Sequence, residues 1–217
     1  MTKTYFSFTL LLVLWLGGCA QKPEKNQKME SKTTATTSPE NVDTITLGGG
    51  CYWCVEAIYQ RLEGVLKVES GFSGGHVKNP AYREVCTGET GHAEVVQITY
   101  DKTKTSLDEI FKVFFTVHDP TTLNRQGDDV GTQYRSAIFY RNEEQKKVAE
   151  SVIADLEKAH VYSDKIVTEV TPFSVFYKAE DYHQNYFNEH GSQPYCQIVI
   201  RPKVEKFEKV FKERLKK

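Results

Sequence analysis

The amino-acid sequence predicts an α/β protein, a two-layer sandwich in which helices pack on a mixed sheet. Two observations carry this. Strand-like and helix-like patterns alternate from about residue 44 to the end. At 217 residues, with 39 % hydrophobic and 26 % charged side chains, the chain is also long enough for a core without disulfide staples.

The elements follow in order. Thr44-Ile45-Thr46-Leu47 predicts a short strand that Gly48-Gly49-Gly50 breaks. A helix starts near Cys51, carries Val55, Ile58, Tyr59 and Leu62 on one face, and ends before Gly64. From His92 to Tyr100, Ala93, Val95, Gln97 and Thr99 alternate with Glu94, Val96 and Ile98, which is the period of a strand. Ser106 caps a helix bearing Leu107, Ile110, Val113 and Phe114 that stops before Pro120. Ser136 to Tyr140 is a further strand, and Glu143 to about His160 a long helix. Asp181 to Glu189 reads as a short helical stretch, and Gln197 to Ile200 as a strand. In the tail from Pro202, Val204, Phe207, Val210 and Phe211 stand at helical spacing.

The N-terminus has a different character. Lys3 precedes an apolar run from Tyr5 to Leu16, too short to cross a bilayer, and then comes Leu16-Gly17-Gly18-Cys19. Small residues before Cys19 resemble the lipobox of bacterial lipoproteins, in which the cysteine is lipid-modified and begins the mature chain. A cleaved secretory signal with Cys19 incidental is the alternative. Residues 1–18 are therefore read as a lipoprotein signal peptide. Residues 19–43, rich in Lys, Gln, Glu, Thr and Ser, are read as a flexible tether, and 44–217 as one domain. This organisation places the protein in the cell envelope, lipid-anchored to a bacterial membrane and facing outside the cytoplasm. Ala20, in place of an acidic retention signal, points to an outer membrane where a cell has two. A formal net charge of -1 and the lack of a basic groove argue against a nucleic-acid partner.

Chemistry concentrates in Gly48-Gly49-Gly50-Cys51-Tyr52-Trp53-Cys54. Glycines after a strand permit a tight turn, and a cysteine at a helix N-terminus gains a dipole that favours the thiolate. Cys54 lies one turn on, within disulfide reach, and Tyr52 and Trp53 can wall the sulfur. A buried structural pair or half of a zinc site would be the plain alternatives. Zinc is weak, because no second spaced Cys/His pair completes four ligands.

Gly50-Cys51-Tyr52-Trp53 resembles the active-site motif of the A-type peptide methionine sulfoxide reductases, with Tyr52 where Phe is more usual. Further blocks resemble that family in its order: Gly71-Phe72-Ser73-Gly74-Gly75, Tyr82-Arg83-Glu84-Val85-Cys86, Gly88 to Glu94, Gly131-Thr132-Gln133-Tyr134-Arg135-Ser136, and Ala179-Glu180-Asp181-Tyr182-His183-Gln184. The resemblance spans about Ile45 to Ile200. It implies a ferredoxin-like plait and reduction of methionine sulfoxide in proteins or peptides, of the S epimer. It also implies no metal or organic cofactor, a thioredoxin-like reductant, and a role in repair of oxidised proteins. Cys51 becomes the nucleophile and Glu94 the acid. Tyr82 and Tyr134 become the phenols that hold the sulfoxide oxygen, and Asp129 a further polar group. Tyr52 and Trp53 receive the substrate methyl, while His183, with Asp181 and Tyr186, shapes the pocket. His92 is read as structural, and Cys86 as a buried cysteine outside turnover. Two resolving thiols remain open. Cys54 is near in sequence. Cys196 sits where many members place a recycling cysteine, but lacks their glycine-rich tail. A monomer is expected. Two rivals remain: a thiol-disulfide oxidoreductase built on Cys51 and Cys54, and a lipoprotein module that merely binds a methionine side chain.

Overall fold

The computed structural model describes residues 38–217. The signal-peptide, lipid-anchor and most of the tether readings, Cys19 included, lie outside the described residues. Residues 38–217 belong to one compact unit. Its first strand, β1, is Val42–Gly49, preceded by a 3₁₀ turn at Pro39–Asn41. Val42 and Asp43 therefore belong to the domain and not to the tether. The Asp43 carboxylate accepts bonds from Tyr100 Oη and Gln145 Nε2, which ties this segment down.

After β1 come α1 (Tyr52–Tyr59), β2 (Val65–Ser73), α2 (Tyr82–Val85), β3 (Ala93–Asp101) and α3 (Leu107–Val117). A small hairpin, β4 (Arg125–Gln126) and β5 (Asp129–Val130), precedes β6 (Ser136–Tyr140) and α4 (Glu143–Lys158). The chain closes with β7 (Glu169–Pro172), β8 (Phe176–Lys178), α5 (Tyr186–Glu189) and α6 (Arg201–Val210). The main sheet has six strands in the order β7-β6-β1-β3-β2-β8. Its centre, β6-β1-β3-β2, is antiparallel and is reached through α1 and α3, the ferredoxin-like plait. β7 adds in parallel to β6, which makes the sheet mixed.

The helices cover one face. Ile45, Leu47, Val96, Ile98, Tyr100 and Ile138 pack there against Val55, Ile58, Ile110, Phe114 and Phe207. On the opposite face Ala93, Val95, Ala137 and Phe139 form a smaller cluster beneath Phe173 and Phe176. Ser106 caps α3 by accepting the Glu109 amide, and Asn142 caps α4 by accepting that of Gln145.

The expected strand Gln197–Ile200 is a π-helical turn, Cys196–Ile200, that runs directly into α6. Its Ile and Val residues mimic strand composition. Packing decides otherwise: Cys196, Ile200, Val204 and Phe207, at helical spacing, are all buried, while Ile198 is exposed. Val210, expected on the apolar stripe, faces solvent.

Candidate active site

The end of β1 delivers Cys51 to the start of α1. Gly50 has φ +86°, and a Cβ there would lie 2.6 Å from the Gln126 side chain, so the turn requires glycine. Gln126 is held in place by two bonds to the Asp119 backbone, at 3.1 and 2.9 Å. Cys51 is the N-cap of α1 and its carbonyl accepts the Cys54 amide at 3.1 Å. Both thiols are free and buried.

Glu94 stands in phase with Val96 and Ile98, so it faces the helices and is 2 % exposed. Its Oε2 accepts the backbone N–H of Tyr52 at 3.1 Å. Burial pushes its carboxyl up to about 8 against the opposing pull of that amide, with Asp129 and Cys54 adding to the rise. At neutral pH it is a protonated acid at the N-terminus of the helix that Cys51 caps.

The thiols divide unequally. Burial, then the Cys54 thiol, hold Cys51 well above the ordinary thiol range, and the Tyr195 phenol only partly offsets this. The Cys54 thiol is held down by its hydrogen bond with Cys51, helped by the Lys203 ammonium, whose Nζ lies 3.7 Å from Sγ. The helix dipole expected to favour a Cys51 thiolate is thus outweighed by desolvation in the resting site.

Asp129 is carried on the β4–β5 hairpin and accepts the Tyr195 hydroxyl at 2.8 Å. Gly131, at φ +146°, lets the chain turn sharply into Thr132–Tyr134, because a Cβ there would overlap the Gln133 amide. Tyr134 comes from this turn and Tyr82 from the first residue of α2. Burial first holds both phenols protonated; the nearby Glu94 carboxyl adds to this in each case.

An aromatic wall completes the site. Trp53 stacks face to face on Tyr186, centroids 3.7 Å apart. Tyr52 lies 5.9 Å from Phe72 and 5.5 Å from His183. His183 is 2 % exposed and 4.3 Å from the Tyr82 ring, and burial lowers its pKa so that it is neutral. Among the described residues, neither of its nitrogens, the Tyr52 hydroxyl nor Trp53 Nε1 has a hydrogen-bond partner.

Three expectations need correction. Asp181 is on the surface, its carboxylate paired with Lys178 at 2.8 Å, and does not shape the pocket. Its neighbour Glu180 turns inward instead and accepts the Tyr82 amide at 3.1 Å. Cys86 is exposed at the end of α2, not buried. Cys196 is fully buried on the π-helical turn rather than carried on a strand. His92 bridges two loop segments, accepting the Gly75 amide at Nδ1 and meeting the Val77 carbonyl through Nε2.

Sequence reasoning did not find Tyr195, Glu180, Glu56 or Lys203. Glu56 is 1 % exposed and accepts the Asn185 amide at 2.9 Å. Its place as the one charged residue in the otherwise uncharged α1 was the only signal available. Lys203 had none, because α6 is brought to Cys54 by the fold.

Comparison with known proteins supports one assignment. A family model described as peptide methionine sulfoxide reductase matches residues 43–215. The peptide methionine sulfoxide reductase MsrA of Saccharolobus solfataricus is 58 % identical over 175 residues, covering 81 % of this chain and 98 % of that protein. The MsrA of Trichodesmium erythraeum is 52 % identical over 174 residues, covering 80 % and 98 %. Among solved structures, reduced Mxr1 of Saccharomyces cerevisiae superimposes with a TM-score of 0.67 at 32 % identity, covering 76 % of this chain and 94 % of that one. Methionine sulfoxide reductase A of Corynebacterium diphtheriae gives a TM-score of 0.63 at 38 % identity, covering 70 % and 76 %.

Proposed function

The chain belongs to the peptide methionine sulfoxide reductase family, and from that premise we propose how its own residues reduce methionine sulfoxide. The observation that carries the reading is the buried Glu94 acid bonded to the first amide of the helix capped by Cys51.

The Cys51 sulfur, as thiolate, attacks the sulfoxide sulfur while Glu94 protonates the oxygen. The sulfoxide S–O bond breaks, the protonated oxygen passes to the Cys51 sulfur as hydroxyl, methionine leaves, and Cys51 is left as a sulfenic acid. A protonated Glu94 serves this step twice. It supplies the proton, and being uncharged it does not oppose negative charge on Cys51. Tyr82 and Tyr134 donate to the oxygen, and Asp129 orients Tyr195 beside the sulfurs. Tyr52 and Trp53 receive the methyl group, and His183 and Tyr186 hold those rings. Cys54 then attacks the sulfenic sulfur, water leaves, and a Cys51–Cys54 disulfide results. A thioredoxin-like dithiol returns the pair to thiols. No metal or organic cofactor enters these steps. The substrate is the S epimer in oxidised proteins.

The N-terminal sequence supports a lipid anchor at Cys19 and a location in the cell envelope facing outside the cytoplasm, with the domain on a tether. Replacing Cys19 by Ser should move the protein from the detergent-soluble membrane fraction to the aqueous one. Unchanged partitioning would remove the anchor.

The test of the reaction is a peptide carrying each sulfoxide epimer separately, with dithiothreitol as reductant. Catalytic turnover of the S epimer alone is expected. A disulfide exchanger or a binding module would turn over neither.

A further inference from the structure

Lys203 enters the thiol pair from a part of the chain that none of the motifs covers. It stands in the first turn of α6, and its Nζ approaches Cys54 Sγ at 3.7 Å. Among the described residues it has no carboxylate partner, so its charge is directed at the sulfur. Lys203 also lines a groove with His118, Gln126, Pro202 and Lys206.

From this geometry we propose that Lys203 makes Cys54 the resolving thiolate and so decides which cysteine closes the disulfide. The inference rests on the reading of Cys54 as resolver. In the step concerned, the Cys54 thiolate attacks the sulfur of the Cys51 sulfenic acid and an S–S bond forms. The S–O bond breaks, and hydroxide takes up a proton and leaves as water. Cys54 sulfur is oxidised, Cys51 sulfur is reduced, and no outside oxidant is needed.

The groups around Cys54 support one charge state. Cys51, on its own helix, donates to it and favours the thiolate. Tyr195 also favours the thiolate, while Asp129 on β5 opposes it. Glu94 on β3 is protonated at neutral pH and adds little. Lys203 is the cation on the facing helix. Cys196, the competing thiol, lies on the π-helical turn just before α6 and is held up by burial and by Cys54 itself. It stays neutral while Cys54 reacts.

The test is a single turnover of the full chain without reductant, quenched over time and across about pH 6–9. Methionine release and the Cys51–Cys54 disulfide are followed together. In Lys203→Met, disulfide formation should lag methionine release and be about 3–10-fold slower than in the wild type near neutral pH. A smaller thiolate fraction is partly offset by the greater nucleophilicity of a higher-pKa thiol. The deficit should close at high pH, and Lys203→Arg should restore the wild-type profile. A Lys203→Met protein with wild-type disulfide rates at every pH would overturn the proposal. So would an equal, pH-independent slowing in Met and Arg variants, which marks a packing role. Failure of the underlying reading is separate: wild-type protein would show a Cys51–Cys196 linkage first.

Discussion

Glu94 Oε2 and the Tyr52 amide, 3.1 Å apart, join the acid of the site to the first residue of the helix that Cys51 caps. The amide favours the carboxylate, yet burial prevails and leaves the group at about 8. The acid on β3 is therefore tied by a hydrogen bond to the β1-to-α1 junction that carries the nucleophile.

Glu94→Gln should slow the first chemical step about 10²–10⁴-fold, the usual worth of general acid catalysis. In the wild type this step should be full at neutral pH and decline above about pH 8, as Glu94 loses its proton. The variant should lack that descending limb. Stopped-flow or quenched single-turnover rates against pH check both. A rate within a few-fold of wild type would remove Glu94 from the role.

Cys51→Ser should abolish reduction while the fold persists, because a hydroxyl does not ionise at neutral pH. Methionine release in a single turnover is the readout. Substantial release would overturn the assignment of the nucleophile.

Cys54→Ser should still release one methionine per Cys51 but stall with a dithiol protein as reductant. Cys196→Ser should recycle nearly as the wild type does. Peptide mapping after one turnover distinguishes the routes. A Cys51–Cys196 bond with Cys54 still free would make Cys196 the resolver. A Cys51–Cys54 bond that later passes to Cys196 would give both a part.

Glu56→Gln should stabilise the protein at alkaline pH. Burial raises the Glu56 carboxyl to about 7 from an ordinary 4.5. A group raised on folding contributes its full stability below its unfolded pKa and loses it as pH rises through the folded one. The wild type thus pays for ionising Glu56 between about pH 4.5 and 7, and glutamine does not, while its carbonyl can still accept the Asn185 amide. The variant's advantage should grow from nothing at acid pH to about 1–3 kcal/mol at pH 8, a rise of several degrees in relative Tm. Thermal melts at the two pH values check this. An advantage equal at both would show that Glu56 is not the titrating group.

Local periodicity was enough for much of this fold. The Ser136–Tyr140 strand, the cap at Ser106 and the helix from Glu143 are local features, since caps and alternation are written in adjacent residues. β2, β7 and β8 were not legible. β2 carries Gly71, where a Cβ would strike the Tyr177 carbonyl of β8 at 2.4 Å, so a residue that normally weakens a strand is required by its partner. The Gln197–Ile200 segment misled because its β-branched residues favour a strand, whereas burial of Cys196, Ile200, Val204 and Phe207 against the helices winds it.

The candidate site divides in the same way. By itself the sequence determined the Gly-Cys-Tyr-Trp-Cys turn and the phase that sets Glu94 with Val96 and Ile98, because both depend on neighbours in the chain. Only the tertiary structure decided that Glu94 is buried enough to stay protonated. It alone turned Glu180 inward and left Asp181 in solvent, and it alone brought Tyr195 and Lys203 to the thiols. Desolvation and charge depend on what arrives from distant segments, and α6 lies about 150 positions from Cys54.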